Sequence, residues 1–530
     1  MLFRSCAIVR AISAPLAVFS ITLRIAFGLR AARRNRRPSD YFLASRNANW
    51  LMIGFGLLAT NMSSTALVGL SGAAYSSGIS VYDYEWSAAV ILALYAVFLV
   101  PFVVQARVFT MPEFLERRYD RHVRLYFTVL TLLLNVAVDC AGALYCGALV
   151  IQALLPGLPI AASVAAIAGA AGLYTIIGGM RAVIFTETVQ AFVLIAGAVV
   201  VASASFLAAG GWDAVMTGVS PDMLSLIRPA NDPFVPWPGL LLGIPLLGFY
   251  YWCTNQYIAQ RVLSARDSNH ARWGVLLAGL LKLPVLYLMV LPGTCALLLF
   301  PHLSQADKVY PALVFGVLPI GLKGLVAASL VAATMMSVAS TLNAASTLVT
   351  MDVVARLSPG LSDVVLVRIG RVSGVVFLMI ATIWAPGIAQ FASFWQYIQG
   401  MLAYGVPPVA ALFLFGLFWR GANAAGGLAG LVVGASAGAL LFASNYVLHW
   451  TQIHFLLVAP ILFGISAAVL VGVSRRYPAP LAAFAEKLIW TPGFMAEEAV
   501  RLRATPVWRD YRILAALLVT LTAAIVITFR

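Results

Sequence analysis

The chain has 530 residues, of which 62% are hydrophobic and 10% are charged, whereas about a quarter of the residues in a soluble protein are charged. This composition argues against a soluble enzyme, a disordered protein and a nucleic-acid-binding protein. In a soluble protein the net charge of +15 would suggest binding to polyanions. In a protein this apolar, it more often indicates arginines in cytoplasmic loops. The sequence therefore predicts an all-α polytopic membrane protein in a lipid bilayer, with no nucleic acid and no obligate protein partner.

Apolar intervals long enough for a bilayer-crossing helix recur along the chain. About 14 transmembrane helices, each of about 20 residues, are predicted at 8–29, 51–77, 82–106, 126–154, 160–177, 182–209, 238–258, 273–300, 323–355, 368–389, 393–418, 422–445, 453–473 and 511–529. The first is poorly defined, because Arg10 and Arg24 interrupt it and arginine is costly near the bilayer centre. A cleaved signal peptide is the alternative there. The polar segment 477–510 is predicted to be a cytoplasmic linker at the membrane interface.

Basic residues test this count, because they should gather on one side of the membrane. Of the 34 lysines and arginines, 26 fall in alternate loops, at 30–46, 107–124, 181, 261–272, 356–371, 420 and 475–512. The opposite loops hold Arg228, Lys308, Lys323 and little else. The positive-inside rule makes the arginine-rich side cytoplasmic. Both termini are therefore predicted outside, in a multi-pass protein of the plasma (inner) membrane.

Motifs for covalent or metal chemistry do not emerge from the sequence. The five histidines are scattered over loops and helix ends without zinc-ligand spacing, and the five cysteines lie in apolar stretches. A phosphate-binding P-loop is also absent. The sequence therefore predicts that the protein is not an enzyme.

Ionisable residues within predicted spans are more informative, because a charge in the bilayer is expensive and usually functional. They are Asp83, Glu85, Asp139, Glu187, Lys282 and Asp352. Asp83, Glu187 and Asp352 lie close to predicted helix ends, where solvated carboxylates are the plain alternative. Glu85 and Lys282 lie at comparable depth, so they can pair and offer donors and acceptors to a polar solute.

Two predicted spans contain helix-interrupting segments. A run of hydroxyl and amide residues occupies 59–65 in the second span, and Pro245 and Gly248 precede the polar and aromatic run 250–256 in the seventh. These spans are five helices apart. Interrupted helices at corresponding positions of two halves are typical of inverted-repeat transporters, with a solute site near the midplane. A kinked structural helix is the alternative for either segment alone.

Several short blocks resemble the sodium:solute symporter family. They are DYFLASR at 40–46, TMPEFL at 110–115, GGMRAV at 178–183, YWCT at 251–254 with QR at 260–261, the block 340–352 that begins STLN and ends TMD, and LFWR at 417–420. The likeness runs from about residue 40 to residue 475. Some of these blocks are similar to the branch that contains the sodium/glucose cotransporters.

The resemblance implies a core of two five-helix inverted repeats with two broken helices. The implied organisation is an extra N-terminal helix and basic loop at 1–37, a first repeat at 38–210, an extracellular loop at 211–237, a second repeat at 238–420, two peripheral helices at 421–476, a linker at 477–510 and a last helix at 511–530.

The resemblance also implies a solute site and its gates. The implied solute-binding residues are Glu85, Lys282, Gln399, Tyr251 and Trp252, and the implied gate residues are Tyr251 and Tyr84. Three positions depart from the family pattern, because Ala66, Ala88 and Gly248 stand where relatives often carry hydrogen-bonding side chains. The matching site residues make a sugar the leading substrate class. The three departures imply that it is held in a geometry that differs from the familiar one for glucose or galactose.

By the same resemblance, sodium should bind backbone carbonyls and hydroxyls. The implied ligands are Ala59, Met62, Ala333 and Ser337. Met336 replaces one of two adjacent hydroxyl residues, and a thioether suits softer metals than sodium. Thr334 is expected to face elsewhere, while Ser340 is one turn from Ser337 and could contribute. Sodium is the family's coupling ion, and Met336 at a hydroxyl position weakens the expectation that this chain is coupled to sodium.

The leading hypothesis is a sodium-coupled symporter that imports a small polar solute, most simply a sugar, by alternating access. A sodium-independent or proton-coupled transporter stays open as an alternative. A non-transporting solute sensor on the same fold is a second class, and a membrane-embedded enzyme is a third. Concentrative uptake into vesicles distinguishes a transporter from a sensor, and a covalently changed product would reveal an enzyme.

Overall fold

The computed structural model describes residues 46–530 apart from 109, 156, 359, 392, 481–482 and 503–505. Side chains are also left undescribed at 59, 351, 363–364, 367, 483 and 501, and throughout 173–192. The predicted helix at 8–29, the basic residues before Arg46 and the Glu187 side chain lie outside the described part. Over the described residues the chain is helical, and its β-bridges are isolated ones such as that between Ala48 and Ala265.

The first half of the described chain contains eleven α-helices. They are α1 (Trp50–Asn61), α2 (Ser64–Ser77), α3 (Asp83–Leu94), α4 (Val100–Gln105), α5 (Met111–Arg118), α6 (Arg121–Leu134), α7 (Ala141–Leu154), α8 (Ile160–Ala208), α9 (Gly211–Gly218), α10 (Trp237–Phe249) and α11 (Gln256–Leu263).

The second half of the described chain contains thirteen. They are α12 (Ser268–Leu280), α13 (Leu291–Leu299), α14 (Val309–Val317), α15 (Ile320–Thr347), α16 (Ala355–Leu357), α17 (Asp363–Trp384), α18 (Phe394–Gly405), α19 (Pro407–Phe418), α20 (Ala424–Phe442), α21 (Phe455–Arg476), α22 (Ala483–Glu486), α23 (Pro492–Leu502) and α24 (Tyr511–Thr528). Wider π-turns interrupt several of these spans, at Tyr95–Leu99, Asn135–Cys140, Tyr250–Thr254, Leu286–Val290, Leu348–Val354 and Ala443–Val447.

Polar residues set the starts of many helices in this apolar chain. Their side chains accept a hydrogen bond from an amide of the first turn, which satisfies a group that the helix itself leaves unpaired. Such caps are Asn49, Ser63, Thr110, Asp120, Asn255, Asp267, Ser393, Asn423, His454 and Asp510.

Length and hydropathy identify seven helices in the described residues that could cross a membrane, or up to nine if each of two bent helix pairs is one span. One of these bends, by 53°, separates α18 from α19 at Val406, just before two prolines. The protein is thus multi-pass, and 14 spans stays a prediction.

One predicted boundary is wrong in the structure. Two spans were expected at 160–177 and 182–209, but α8 continues as one 49-residue helix from Ile160 to Ala208. The sequence at the expected turn, Gly178-Gly179-Met180-Arg181, contains no proline. Glycine lowers helix propensity by only about 1 kcal/mol, so this stretch does not force the backbone out of a helix.

The arginine-rich loops meet on one face, as the charge alternation predicts. The Arg118 guanidinium donates to the carbonyl oxygens of Gly416 (2.7 Å) and Ala422 (3.1 Å). Arg124 pairs with both Glu116 (2.5 Å) and Asp352, and Arg356 also binds Glu116 at 2.7 and 2.9 Å. We call this the cytoplasmic face, after the side that the positive-inside rule predicts for it.

The predicted linker docks against that face. Its helix α23 carries Glu498, which forms a two-point ion pair with Arg272 of α12. Its Trp490 amide donates to the Leu417 carbonyl oxygen (2.8 Å) at the end of α19. The linker therefore joins several core helices.

The opposite face carries the 211–237 loop and the end of the chain. The Leu226 amide donates to the Phe529 carbonyl oxygen (2.8 Å), and the rings of Trp212 and Phe529 meet edge to face at 6.1 Å. The last helix thus ends on the side of that loop, as the predicted topology requires.

Four glycines four residues apart place one face of α20 directly against its neighbours. A Cβ at Gly426 would lie 2.5 Å from the Leu470 carbonyl oxygen of α21, and a Cβ at Gly438 would lie 2.4 Å from the Tyr404 carbonyl oxygen. Small residues allow this close backbone approach between membrane helices.

Candidate functional site

The first predicted break is present between α1 and α2, at Met62 and Ser63. The Ser63 amide donates to the Asn61 carbonyl oxygen (3.0 Å), and the Ala66 amide donates to the Ser63 hydroxyl (3.3 Å). In a regular helix these two amides would bond the carbonyl oxygens of Ala59 and Met62. Both predicted ion ligands on this segment therefore lose their usual helical donors. Unwound carbonyls of this kind can coordinate sodium.

Helix α15 brings hydroxyl groups to the same break. The Thr334 hydroxyl lies 2.8 Å from that of Ser64, the first residue of α2. The expectation that Thr334 faces elsewhere is wrong, because Thr334 is three residues from Ser337 and shares its helix face.

The direction of α15 carries Ser337 past that contact. The helix runs towards Arg356 at the cytoplasmic face, while α2 runs away from that face, so Ser337 lies one turn further than Thr334 towards the face from which α1 approaches the break. Met336 is buried beside it at 6% exposure, and Ala333 is buried one turn earlier. No described residue hydrogen-bonds the Ser337 hydroxyl.

Glu85 and Lys282 form the predicted ion pair. The Lys282 Nζ donates to Glu85 Oε2 at 2.5 Å, and the two residues are 1% and 5% exposed. The ammonium group also donates to Asn61 Oδ1 and lies 4.7 Å from the Trp252 ring centroid. Lys282 stands where α12 unwinds, two residues before Pro284. We call Asn61, Glu85, Lys282, Tyr251 and Trp252 the central cluster.

The second predicted break is also present, but not at Pro245. Helix α10 continues through Pro245 to a π-turn at Tyr250–Thr254, and the backbone becomes extended at Asn255. Tyr251 and Trp252 lie on that π-turn, so the structure places both next to the break. The Tyr251 hydroxyl accepts hydrogen bonds from Asn61 Nδ2 (3.3 Å) and from the Tyr257 hydroxyl (2.7 Å).

Gln399 and Tyr84 lie in a second group of residues, on and against α18, which neighbours the central cluster. Gln399 lies on α18, one turn after Trp395, whose ring meets that of Tyr84 edge to face at 5.5 Å. Gln399 is buried at 7% exposure, and no described residue hydrogen-bonds its amide. Tyr84 directly precedes Glu85, so this contact brings α18 next to the central cluster. No described contact joins Gln399 to Glu85 or Lys282.

Two carboxylates near predicted helix ends are buried, so the solvated interpretation is wrong for both. Asp83 is 0% exposed and accepts a hydrogen bond from Trp86 Nε1 (2.7 Å), and Asp352 is paired with Arg124 at 8% exposure. Asp139 differs from them. It lies on the π-turn Asn135–Cys140, and no described residue hydrogen-bonds or pairs with it.

Two residues of the site were not assigned from the sequence. Asn61 was part of the polar run at 59–65, and this run was the only signal for it. Tyr257 carried no signal, because a tyrosine beyond a break does not differ from one that lies at the membrane interface.

Comparison with known proteins gives matches over most of the chain. A model of the Sodium:solute symporter family matches residues 41–434. The chain is 34% identical over 501 residues to a sodium/myo-inositol cotransporter of Canis lupus familiaris, which covers 83% of this chain and 70% of that protein. It is also 34% identical over 425 residues to a sodium/glucose cotransporter of Vibrio parahaemolyticus, and this alignment covers 75% of this chain and 78% of that protein.

A solved structure shares the fold. A Na+-coupled sialic acid symporter in a substrate-bound outward-open state superposes with a TM-score of 0.74 and 20% identity, over 89% of this chain and 99% of that one. At this identity the likeness bears on the fold alone.

Proposed function

The chain belongs to the sodium:solute symporter family, and on that premise we propose that it imports a sugar or a cyclic polyol together with sodium by alternating access. The relatives named above are cotransporters of myo-inositol and glucose. The proposed topology is multi-pass in the inner membrane, with both termini outside. Its core is a pair of five-helix inverted repeats at 38–210 and 238–420.

Matching irregularities support the proposed repeats. The first helix of each half is broken, at Met62–Ser63 and at Asn255. The second helix of each half contains a π-turn, and Pro101 and Pro292 follow these turns at equivalent positions. Proline has no amide to donate and crowds the preceding turn, which explains a π-turn just before it.

The observation that carries the proposal is the central cluster. Its buried ammonium and carboxylate groups and the half-buried Asn61 amide converge between two broken helices, and the Trp252 ring covers one side. A polyhydroxylated solute can exchange hydrogen bonds with each of these groups, and its apolar ring face can stack on the indole. Ala66, Ala88 and Gly248 add no polar side chains to this region. The proposed solute contacts are therefore made by the remaining candidates, Glu85, Lys282, Gln399, Tyr251 and Trp252.

Gln399→Ala tests the proposed solute site. Because no described residue bonds its amide, the substitution should leave the fold intact and weaken solute binding by about tenfold or more. Binding of labelled myo-inositol and glucose to purified protein measures this effect. Gln305→Ala, which changes an exposed glutamine, is the matched control. Unchanged binding in Gln399→Ala would remove this residue from the site.

For sodium, we propose the carbonyl oxygens of Ala59, Met62 and Ala333 with the Ser337 hydroxyl. Met336→Ser would restore an oxygen beside Ser337, and it should lower the half-saturating sodium concentration by about tenfold, since a hydrogen-bonding group facing a charge contributes about 1.5–3 kcal/mol. Met335→Ser, at a buried neighbour on another side of α15, should not do so. Equal sodium dependence in Met336→Ser and the parent chain would mean that other ligands already complete the site.

Proton coupling is the second candidate, and Asp139 favours it. This carboxylate lies on a π-turn inside a predicted span and has no hydrogen-bond or ion-pair partner among the described residues, and ionisable side chains at membrane depth often belong to proton pathways. Under this alternative an inward proton gradient drives uptake without sodium, and Asp139→Asn abolishes that uptake. Solute binding without any transport would instead indicate a sensor.

A further inference from the structure

We propose that Tyr257 is the latch of the cytoplasmic gate: its hydroxyl holds the Tyr251 ring across the break between α10 and α11 and thereby sets how often the solute path opens inward. This inference rests on the proposed function for its meaning in transport. Tyr251 is one of the two gate residues that the resemblance implies, with Tyr84, and Tyr257 is an additional positioning residue.

The latch lies on the cytoplasmic side of the central cluster. Tyr251 belongs to the π-turn before Asn255, and Tyr257 belongs to the first turn of α11 after it. Helix α11 then runs to the basic loop that contains Arg266, which lies on the cytoplasmic face. The Tyr257 hydroxyl donates to that of Tyr251 at 2.7 Å, and the two rings meet edge to face at 6.1 Å.

The two tyrosines differ in how firmly they are held. Helix α11 is fixed to other parts of the cytoplasmic face, because Gln256 Oε1 accepts a hydrogen bond from the Met111 amide (2.8 Å) and the Ala48 amide donates to the Ser264 carbonyl oxygen (3.0 Å). Tyr251 instead lies on a π-turn directly before an extended residue, where the backbone has fewer regular hydrogen bonds. The Tyr257 hydroxyl is therefore a fixed donor, and the Tyr251 ring is the mobile partner.

The Tyr251 hydroxyl also connects the latch to the solute site. It accepts a second hydrogen bond from Asn61 Nδ2, and Asn61 Oδ1 accepts one from Lys282. A solute that takes the Lys282 donor away from Asn61 leaves this amide free to reorient, which weakens its hold on Tyr251. The Tyr257 bond then becomes the main restraint on the gate.

Tyr257→Phe removes the hydroxyl and keeps the ring. If the bond stabilises the closed gate, its loss raises the open population, and exchange of labelled myo-inositol or glucose across proteoliposomes should become about two- to tenfold faster. Tyr477→Phe, at an exposed tyrosine, is the matched control.

A double-variant cycle separates a latch from a general packing effect. In Tyr251→Phe the acceptor is gone, so adding Tyr257→Phe should change the exchange rate no further. Independent, multiplying effects of the two substitutions would overturn the proposal, as would an unchanged rate in Tyr257→Phe. Tyr251→Phe breaks the same bond from its other end, so the test survives if Tyr257→Phe does not fold.

A second measurement does not need a transported solute. The thiol of Ala66→Cys, beyond the gate on the first turn of α2, can be labelled in inside-out vesicles with a membrane-impermeant thiol reagent. Labelling should be about two- to tenfold faster when Tyr257→Phe is added. The parent chain, whose described cysteines are buried, sets the background. Faster labelling without uptake of any solute would retain the latch and refute the proposed function, whereas equal labelling would refute the latch.

Discussion

The two ends of helix α12 carry the same chemistry in two different settings. At one end Arg272 is bound by Glu498 and lies 3.9 Å from the Tyr511 ring centroid. Just past the other end Lys282 is bound by Glu85 and lies 4.7 Å from that of Trp252. Each is a buried cation with a carboxylate and an aromatic ring. We call the first group, with the Ala96 carbonyl oxygen that accepts from Arg272 Nε (3.2 Å), the cytoplasmic clasp.

What differs is the geometry of the cation and of its backbone. The planar Arg272 guanidinium binds Glu498 at two points, and Tyr511 donates to the same carboxylate at 2.7 Å. The Lys282 ammonium is a point charge with rotatable donors, on an unwound turn facing two broken helices. Arginine suits fixed, two-point pairing, whereas lysine can exchange partners. We infer that the clasp fastens the linker to the core and that the central cluster exchanges its bonds with solute.

Glu498→Ala should have the largest effect on stability. It leaves Arg272 buried at 1% exposure without its carboxylate, and breaking one side of a buried pair costs about 3–5 kcal/mol. Denaturant unfolding in detergent micelles measures this loss. Glu486→Ala, which removes an exposed partner 3.8 Å from Arg420, is the matched control and should cost less than about 1 kcal/mol. Equal losses in the two variants would mean that the clasp does not fasten the linker.

The double substitution Glu85→Leu with Lys282→Met should separate function from stability. Replacing both members of a buried pair by apolar residues is often neutral for folding. Solute binding should nevertheless weaken by about 10- to 100-fold, because charged hydrogen bonds contribute about 1.5–3 kcal/mol each. Binding of labelled solute and denaturant unfolding are measured on the same preparation. A variant that binds solute normally would show that the pair is structural, like the clasp.

Arg272→Lys tests whether the clasp needs the fork of the guanidinium. The charge is retained, but a lysine ammonium cannot keep both bonds to Glu498 and also the bond to the Ala96 carbonyl oxygen. The free energy of unfolding should therefore fall by about 1–2 kcal/mol. Solute binding should not change. A lysine that supports full stability would contradict the distinction drawn between the two ends of α12.

The smallest expected effect is a pH dependence at the cytoplasmic face. The hydrogen bond from Arg356, joined by that from Arg124 and only partly opposed by burial, holds the pKa of Glu116 below its ordinary value of 4.5. A lowered pKa contributes stability above the ordinary value, and that contribution is lost as the pH falls through the pKa of the folded state. The difference in melting temperature between the parent chain and Glu116→Gln should therefore shrink as the pH falls below 4.5. A constant difference would remove Glu116 from this account.

Several parts of the site could be predicted from the sequence because their signals are local or their cost in a bilayer is high. Glu85 and Lys282 were paired from their opposite charges and similar depth, and the pair is confirmed at 2.5 Å. The polar run at 59–65 predicted the first break, which lies within it at Met62–Ser63.

Other features depend on contacts between distant segments. Arg272 and Glu498 are 226 residues apart, and neither stands out from its loop. The second break lies at Asn255, within the predicted run 250–256, while Pro245 stays inside α10, because a proline inside a membrane helix is tolerated when neighbouring groups satisfy the freed carbonyl. Thr334 was predicted to face away from the sodium site because its position around the helix was compared with that of Met336. Thr334 in fact shares a helix face with Ser337.

The most direct test of sodium-coupled solute import is uptake of a labelled panel of hexoses, pentoses and myo-inositol into proteoliposomes, with and without an inward sodium gradient. The account predicts that at least one of these solutes accumulates above its external concentration when sodium flows inward, and only equilibrates when sodium is equal on both sides. Uptake that is indifferent to sodium, or no uptake of any member of the panel, would contradict it.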